Sequence, residues 1–424
     1  MGKAKIVFIG AGSMSFGIPT FRDIFTTPEL KGWTLSLVDI DEENLERMYG
    51  LALAMNEASG MELNIEKTME RRDVLPGADY IVNSLAIERC DLWKEDFRIP
   101  LKYGIRHCLG ENGGPGALFF GMRTIPLIMD ICRDIEELCP DAWFLNFSNP
   151  ESRIVLAVNK YTKVKCIGLC HGIFMAQDDV AHVLGVEKDS IEVTAAGMNH
   201  FQWLLSIRDK ATGEDLYPLL KEKESGFDPA FRPFTRKMFR AVGLWPTCSD
   251  DHLGEYLPYG YEAGMEGYDF DEDERGRVQM KKDVKAVVSG EKDPKEWLVK
   301  SGEKAIEVIT ALHTGRRTYI PSAVVYNGGA ISNLPDDVAV EVPVIVEKGK
   351  ILKVHVGDVR QSVRSLLSLQ VGAQQMAVDA AMYGDKAMAY QALLADPVIN
   401  DTEAARHILD DLWAINEKYI KSSL

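Results

Sequence analysis

A cysteine and a histidine that could bind a metal ion stand at the ends of two predicted strands in this 424-residue sequence. Cys170 is followed by His171 and Gly172, and His200 ends residues 197–200, Gly-Met-Asn-His. A thiolate and an imidazole supply half of a divalent-metal site and leave the other positions open for a substrate. A lone cysteine or histidine more often packs in a core, so these residues alone leave both interpretations open.

An asparagine at the end of another predicted strand could orient a polyhydroxylated ligand. The strand over residues 143–146 is followed by Asn149, whose side-chain amide offers one acceptor and two donors. The glycine-rich residues 110–116 predict a mobile or closely approaching loop over a cofactor. An ordinary surface turn is the alternative, because Gly-Pro pairs commonly mark turns.

The start of the chain has the signature of a dinucleotide-binding turn. An apolar strand over residues 5–9 leads into two glycines one residue apart, which allow a tight turn and a close approach of the backbone to a pyrophosphate. A helix that begins just after them would direct unpaired backbone N–H groups at the phosphates. The residues predicted to bind the cofactor here are Gly10, Gly12, Ser13, Met14 and Ser15. Asn149 is also predicted to bind it, because the strand before Asn149 should end near the nicotinamide.

An acidic residue supports the dinucleotide interpretation. Asp39 follows the predicted strand over residues 34–38, where a carboxylate suits the ribose hydroxyls and favours NAD over NADP. Ser15 stands where the usual fingerprint has its third glycine, so the helix is expected to pack slightly less closely on the strand.

The order of elements predicts the sheet that must position these residues. Strands and helices alternate through about residue 200, with strands over residues 5–9, 34–38, 65–68, 80–86, 143–146 and 164–170 and helices over residues 42–59, 123–139 and 151–160. This βαβ order predicts an α/β fold with an N-terminal Rossmann-type, doubly wound parallel sheet. Such sheets bind ligands at the carboxyl ends of their strands, where the polar stretches lie.

The pattern changes after residue 200. Helices are predicted over residues 217–240 and 277–314, with an acidic, solvated loop over residues 268–275 between them. Alternating residues 323–354 predict antiparallel strands, and the chain is helical from residue 360. We therefore predict an NAD-binding domain over residues 1–200 and a mixed α+β domain over residues 201–424 for substrate, metal and oligomerisation.

Composition excludes several partners. Lys and Arg number 48 against 64 Asp and Glu, and the net charge of −16 argues against nucleic acid or an anionic membrane. Seven scattered cysteines do not form a disulfide framework, and no signal peptide or membrane span is evident. These features predict a cytoplasmic protein, and we expect a homo-oligomer, a dimer or a tetramer.

Five motifs together resemble glycoside hydrolase family 4, the NAD- and metal-dependent glycosidases. They are Gly-Ala-Gly-Ser at residues 10–13, Asn-Phe-Ser-Asn-Pro at 146–150, Leu-Cys-His-Gly at 169–172, Gly-Met-Asn-His at 197–200 and Glu-Tyr-Leu-Pro at 255–258. The resemblance runs from residue 5 to about residue 380 and implies a fold similar to lactate and malate dehydrogenases. It implies NAD and Mn²⁺ as cofactors, whereas thiolate chemistry alone would favour zinc or iron.

The resemblance also implies an elimination mechanism in place of the usual pair of carboxylates. NAD takes a hydride from C3 of the sugar, a base removes the proton from C2, and the bond from C1 to the glycosidic oxygen breaks. Water then adds and the hydride returns, while the metal ion polarises the oxygens at C2 and C3. By position, Cys170 and His200 match the metal ligands, and Asn149 matches the residue that contacts the sugar hydroxyls and the metal region.

The base and the acid are also named by position. Tyr256 matches a tyrosine that serves as the C2 base, although an unperturbed phenol has a pKa near ~10 that a metal or a cation must lower. Asp251 is the candidate acid for the leaving oxygen, and His171 is the second candidate. Helix capping is the alternative for Asp250, Asp251 and Glu255.

The third residue of the Cys-His-Gly motif indicates the substrate class. Cys-His-Gly resembles the α-glucuronidases and Cys-His-Ser the α-galactosidases, and a glycine would leave room for a larger substituent at C6. A carboxylate there needs a cationic partner, for which Arg89, Arg106 and Arg123 are the candidates. The predicted substrate-binding residues are Asn149, Asn199, Gly172 and Arg89.

An α-glucuronidase is the predicted function. The alternatives are an α-galactosidase or α-galacturonidase of the same family and a malate-type NAD dehydrogenase, which would release NADH. A non-catalytic NAD-sensing regulator is a further alternative, although it gives Cys170 no role.

Overall fold

The computed structural model describes residues 2–421, which contain one sheet of eleven strands shared by both halves of the chain. The strands are β1 Lys5–Ile9, β2 Thr34–Val38, β3 Asn64–Thr68, β4 Tyr80–Asn83, β5 Trp143–Asn146, β6 Lys165–Gly168, β7 Ile191–Met198, β8 Phe201–Asp209, β9 Thr318–Tyr326, β10 Ala339–Glu347 and β11 Lys350–Lys353.

Helices cover both faces of this sheet and close the C-terminal half. They are α1 Met14–Phe25, α2 Glu42–Ser59, α3 Arg89–Lys102, α4 Gly114–Leu138, α5 Glu151–Tyr161, α6 Gly172–Leu184, α7 Tyr217–Ser225, α8 Pro233–Val242, α9 Asp250–Gly254, α10 Phe270–Val288, α11 Ala305–Thr314, α12 Gln361–Tyr383, α13 Lys386–Ala395 and α14 Thr402–Asn416.

The first six strands form the predicted parallel sheet. Their order, β3-β2-β1-β4-β5-β6, is that of a Rossmann-type doubly wound fold. β1 is paired with β2 on one side and β4 on the other, and residues 6–9 are buried, which explains its apolar run. The strand order reverses between β1 and β4, so the carboxyl ends of these strands border the crevice where such sheets bind ligands.

The second half of the chain extends the same sheet with antiparallel strands. β9 pairs with β6 through Val324 and Gly168, and β10, β7 and β8 follow in order. The predicted α/β fold with a mixed C-terminal part is confirmed. The domain boundary at residue 200 stays a prediction, and β7 and β8 on either side of it form one hairpin.

Helix α4 differs from the prediction because it begins nine residues earlier. Gly113 is its N-cap and Pro115 lies in its first turn, so the glycine-rich residues 114–116 are helical. The prediction of a mobile loop is not supported, because residues 110–116 are all buried. Of the helices in residues 2–421, α4 alone is long and apolar enough to cross a membrane, and 89% of its most apolar window is buried within the fold.

The acidic residues 268–275 are not the predicted loop. Helix α10 begins at Phe270, and the side chain of Asp269 caps it by accepting a hydrogen bond from the Glu272 backbone N–H. Asp271, Glu272 and Asp273 occupy the first turn, where negative charge is stabilised by the helix dipole. Acidic composition suggested a solvated loop, but the same residues are favourable at a helix start.

Candidate active site

The turn after β1 has the geometry of a dinucleotide site. Gly10 has a φ of +76°, and a Cβ there would lie 2.7 Å from the Ser84 carbonyl oxygen, so only glycine fits. Ser13 is the N-cap of α1 but its side chain makes no capping hydrogen bond. The first backbone N–H groups of α1, including those of Met14 and Ser15, therefore remain available to an anion.

Asp39 faces this turn from the end of β2. Its Oδ2 accepts a 2.7 Å hydrogen bond from the Gly12 backbone N–H, and its Oδ1 accepts one of 2.9 Å from Asp41. Asp39 is partly exposed, and neighbouring Ile40 is 87% exposed. A carboxylate and an exposed apolar side chain beside the glycine turn fit a ribose and a flat base, and the carboxylate would repel a 2′-phosphate.

The β7–β8 hairpin carries His200 into the site. Asn199 and His200 form its two-residue turn, and His200 has a φ of +58°. The prediction missed this hairpin, although apolar residues flank an Asn-containing pair in the pattern of a tight turn. The Asn199 amide donates to Glu341 at 3.1 Å, so the turn is held by a buried carboxylate.

Two histidines and a glutamate lie together beside the carboxyl ends of the parallel strands. One ligand atom from each of His200, His252 and Glu255 lies within 4.8 Å of the others, and the two imidazole centroids are 4.2 Å apart. Burial, followed by the charges of His252 and His171, holds the pKa of His200 well below its ordinary value. Burial also disfavours a charged His252, but Glu255 outweighs it and raises the pKa of His252 to about 9.

The glycine-rich segment closes over this cluster. Glu255 Oε2 accepts backbone hydrogen bonds from Glu111 at 2.8 Å and Asn112 at 2.7 Å. The Asn112 side chain lies 3.1 Å from His200 Nδ1. A Cβ at Gly113 would lie 2.2 Å from the Glu255 carbonyl oxygen, so the segment packs closely on the Glu255 backbone. Its close approach to a cofactor stays a prediction.

Cys170 lies beside a second thiol, Cys248, for which no role was predicted. A hydrogen bond with Cys248, followed by burial, raises the pKa of the Cys170 thiol well above its ordinary value. A Cβ at Gly172 would lie 2.4 Å from Cys248 Sγ and 3.6 Å from Cys170 Sγ. The space beside Gly172 is therefore filled by Cys248. Our expectation that the missing side chain of Gly172 leaves room for a larger C6 substituent is wrong for this reason.

We predict that Gly172→Ala destabilises the protein by roughly 1–3 kcal/mol, the usual cost of overpacking, because the new methyl group meets Cys248. In a Cys248→Ala background the same change should cost little, since the nearest remaining Cys248 atom is Cβ at 3.9 Å. A double-mutant cycle by urea unfolding measures the difference. Equal costs in both backgrounds would contradict the packing role.

His171 has the more open position of the two acid candidates. Its side chain is 53% exposed, its Nδ1 lies 3.3 Å from Glu303, and this hydrogen bond raises the pKa of His171. Asp251 accepts hydrogen bonds from the Ser249 hydroxyl and the His252 backbone N–H. Burial alone would raise the pKa of Asp251, but His252 and these hydrogen bonds lower it, so Asp251 favours the charged form. Asp251 lies within α9, whose N-cap is Ser249.

The remaining capping candidates have separate tasks. Asp250 caps α8 through hydrogen bonds from the Phe234 and Thr235 backbones, whereas Glu255 binds His252 and the glycine-rich segment. Helix capping therefore accounts for Asp250 but not for Glu255.

Tyr256 packs under the hairpin turn. Its hydroxyl donates a 2.9 Å hydrogen bond to the Asn199 carbonyl, and its ring stacks on Phe201 at 4.7 Å. Burial, followed by the charge of Glu255, raises the pKa of Tyr256 well above its ordinary value. This arrangement does not favour the role of C2 base, which stays a prediction for the enzyme with its ligands bound.

Two asparagines named as substrate-binding residues differ in accessibility. Asn149 is partly exposed at the end of β5, and among residues 2–421 no group hydrogen-bonds its amide, which is therefore open to a ligand. Asn199 is fully buried, and its amide is bound to Glu341. Asn199 therefore stabilises the turn that holds His200, and its amide is not open to a substrate.

The three candidate arginines are in different environments. Arg123 is fully buried in an ion pair with Asp96 at 2.6 Å and is not free to bind a substrate. Arg106 is exposed and stacks on Tyr261. Arg89 is 26% exposed and pairs with Glu111 at 3.2 Å, so it alone of the three contacts the glycine-rich segment.

The side chains fit a divalent metal ion. His200 offers a neutral imidazole and Cys170 a thiol that can lose its proton to a metal, which are ligand types of Mn²⁺, Zn²⁺ and Fe²⁺ sites. Cys170 lies outside the compact group of His200, His252 and Glu255. No role was predicted for His252, although His252 and Glu255 are spaced i and i+3, one helical turn apart.

Comparison with known proteins establishes the family. A family model described as family 4 glycosyl hydrolase matches residues 5–186, and the model of its C-terminal domain matches residues 195–399. The chain belongs to family 4 of the glycosyl hydrolases. An α-galactosidase of Bacillus subtilis is 31% identical over 98% of this chain and 99% of its own length. An α-galacturonidase of the same organism is 26% identical over 97% of each chain.

Solved structures share the fold of this family 4 glycosyl hydrolase. A putative glucosidase from Bacillus subtilis has a TM-score of 0.89 at 23% identity and covers 97% of this chain and 100% of its own. A 6-phospho-α-glucosidase from gut microorganisms was solved in complex with NAD and Mn²⁺. It has a TM-score of 0.84 at 22% identity, and the match covers 99% of this chain and 100% of its own.

Proposed function

We propose that this family 4 glycosyl hydrolase is an NAD- and divalent-metal-dependent glycosidase that cleaves α-glycosides, with α-glucuronides as its preferred substrates. The observation that carries the proposal is the common location of two features. The turn at Gly10 and Gly12 follows β1 and Cys170 follows β6, both in the parallel part of the sheet. The β7–β8 hairpin, in the antiparallel part of the same sheet, carries His200. A dinucleotide and a metal ion bound there could act on one sugar.

The cofactor assignments rest on the residues of this chain. Gly12 and Asp39 would hold the pyrophosphate and the ribose of NAD, and Cys170 and His200 would hold the metal ion, with Mn²⁺ chosen on the resemblance. NAD supplies reversible hydride transfer and the metal ion supplies Lewis acidity toward sugar oxygens. The similar 6-phospho-α-glucosidase was solved with both NAD and Mn²⁺.

The substrate class rests on a cation beside the site. Arg89 could bind a C6 carboxylate, because its partner Glu111 belongs to the segment that closes over His200. The Cys-His-Gly motif supports α-glucuronides by resemblance alone, since Cys248 fills the space at Gly172. An α-galacturonidase is the second candidate, because uronate-cleaving relatives are 26–28% identical over nearly the whole chain.

We also propose a reducing, cytoplasmic setting and a homo-oligomeric state. All seven cysteines are free thiols in the structure, and a thiol at Cys170 has to stay reduced in order to bind a metal ion. The net charge of −16 provides no electrostatic attraction to nucleic acid or an anionic membrane, so we propose neither as a partner.

A panel of nitrophenyl α-glycosides tests the proposal, with the purified enzyme, NAD, Mn²⁺ and a reductant. We expect hydrolysis of the α-glucuronide, little hydrolysis of the neutral α-galactoside or of 6-phosphorylated sugars, and no net NADH. Omitting NAD or adding a chelator should abolish activity. A clear preference for the α-galactoside would overturn the glucuronide assignment, and full activity of dialysed, chelated enzyme would overturn the metal requirement.

A further inference from the structure

We propose that His252 is a third protein ligand of the divalent metal ion and that Glu255 is the positioning residue that aims it. The inference rests on the metal dependence proposed above. It adds to Cys170 and His200 a residue from α9, which lies about fifty residues further along the chain than His200.

The two imidazoles lie close together, and each keeps the same ring nitrogen free of protein partners. Their centroids are 4.2 Å apart with the ring planes inclined by 50°, and one ring nitrogen of each lies within 4.8 Å of one of the other. A polar side chain lies beside Nδ1 of each ring: Asn112 beside that of His200, and Glu255 beside that of His252. Within residues 2–421 no protein group hydrogen-bonds either Nε2 atom. Two free imidazole nitrogens, one from the β7–β8 hairpin and one from α9, can bind one divalent metal ion together.

The contacts of Glu255 suit a residue that orients the metal ligand His252 and that does not itself bind the metal ion. It is buried, its Oε2 accepts the backbone N–H groups of Glu111 and Asn112, and its Oε1 lies 3.2 Å from His252 Nδ1. Both oxygens are thus occupied by protein groups. A carboxylate that accepts Nδ1–H leaves Nε2 as the lone-pair nitrogen, which is the usual outer-shell arrangement of metal-binding histidines.

Asn112 can give His200 the matching arrangement. The structure assigns its Nδ2 to the contact with His200 Nδ1, and leaves its Oδ1 buried without a partner. Rotating the amide by half a turn gives up the 3.4 Å hydrogen bond from Nδ2 to Glu111 Oε2 and brings Oδ1 to the ring. There Oδ1 accepts Nδ1–H and leaves Nε2 free for the metal. Because the Asn112 backbone is itself bound to Glu255, one carboxylate organises the surroundings of both imidazoles.

Mn²⁺ binding measured by electron paramagnetic resonance tests the inference on the full-length protein. We expect His252→Gln to weaken Mn²⁺ binding by more than the 10–100-fold typical of outer-shell changes, and Glu255→Gln by about 10–100-fold. A glutamine amide that donates to Nδ1 would place the ring proton on Nε2 and block the metal. His407→Gln is the matched control, because His407 is exposed and stacks on Tyr103.

NAD binding by calorimetry is the check on folding, because the Gly10 to Ser15 turn follows a different strand. Retained NAD binding with weakened Mn²⁺ binding in both variants supports the inference. Unchanged Mn²⁺ affinity in His252→Gln overturns it, and unchanged affinity in Glu255→Gln overturns the positioning role. If NAD binding is lost, the visible spectrum of Co²⁺ added to His252→Asn decides, since an unchanged spectrum relative to wild type excludes His252 as a second imidazole ligand. Wild-type protein that binds no Mn²⁺ would instead refute the metal dependence of the proposed function.

Discussion

Replacing Cys170 by serine is expected to abolish tight Mn²⁺ binding and to lower kcat/KM by roughly 10³-fold, about 4 kcal/mol of transition-state stabilisation. A metal ion can displace the proton of a thiol, but the much weaker acidity of an alcohol prevents the same exchange at serine. The raised pKa of the Cys170 thiol means that protons compete with the metal ion, so binding should strengthen as the pH rises.

The comparison needs a cysteine outside the site. Cys139 follows the end of α4, away from the strand ends that carry the cluster, so Cys139→Ala serves as the control and should retain Mn²⁺ binding and turnover. NAD affinity measured on both variants separates a lost metal from a lost fold. A Cys170→Ser enzyme that binds Mn²⁺ and turns over normally would show that the metal ligands lie elsewhere.

Products formed in D₂O are expected to carry deuterium at C2 of the sugar in nearly every molecule. Elimination requires removal of the C2 proton, and the base returns a deuteron to C2 once it has exchanged with the solvent. In the two-carboxylate scheme the bond from C2 to hydrogen stays intact throughout. Mass spectrometry and proton NMR of the released sugar measure the label. Unlabelled product would rule out elimination.

Tyr256→Phe identifies the base within that experiment. If the phenol is the base, the rate should fall by the ~10²–10⁴ typical of a lost general base, with substrate binding less affected. The structure adds a condition, since the hydroxyl must first leave the Asn199 carbonyl. A Phe variant that keeps both its rate and its C2 label would assign Tyr256 to packing, and the base would then be sought among the other groups of the site.

Much of the parallel half could be predicted because its signals are local. The apolar run of β1, the glycines after it and the helical period of α2 each act within a few residues, and the helix over residues 42–59 is confirmed residue for residue. The same holds for Gly10, whose positive φ follows from the turn that it forms. The acidic start of α10 was predicted wrongly because composition alone does not distinguish a solvated loop from a favourable first turn.

The sequence by itself determined the parallel sheet, the dinucleotide turn and the candidate pair Cys170 and His200, since each depends on local pattern or motif. Only the tertiary structure decided that Glu255 binds a segment more than 140 residues away, and that Cys248 occupies the space at Gly172. Such contacts depend on how distant elements pack, and no periodicity or spacing along the chain encodes which buried atoms will meet. The physical surroundings of the candidate site are therefore a product of the assembled sheet and its covering helices.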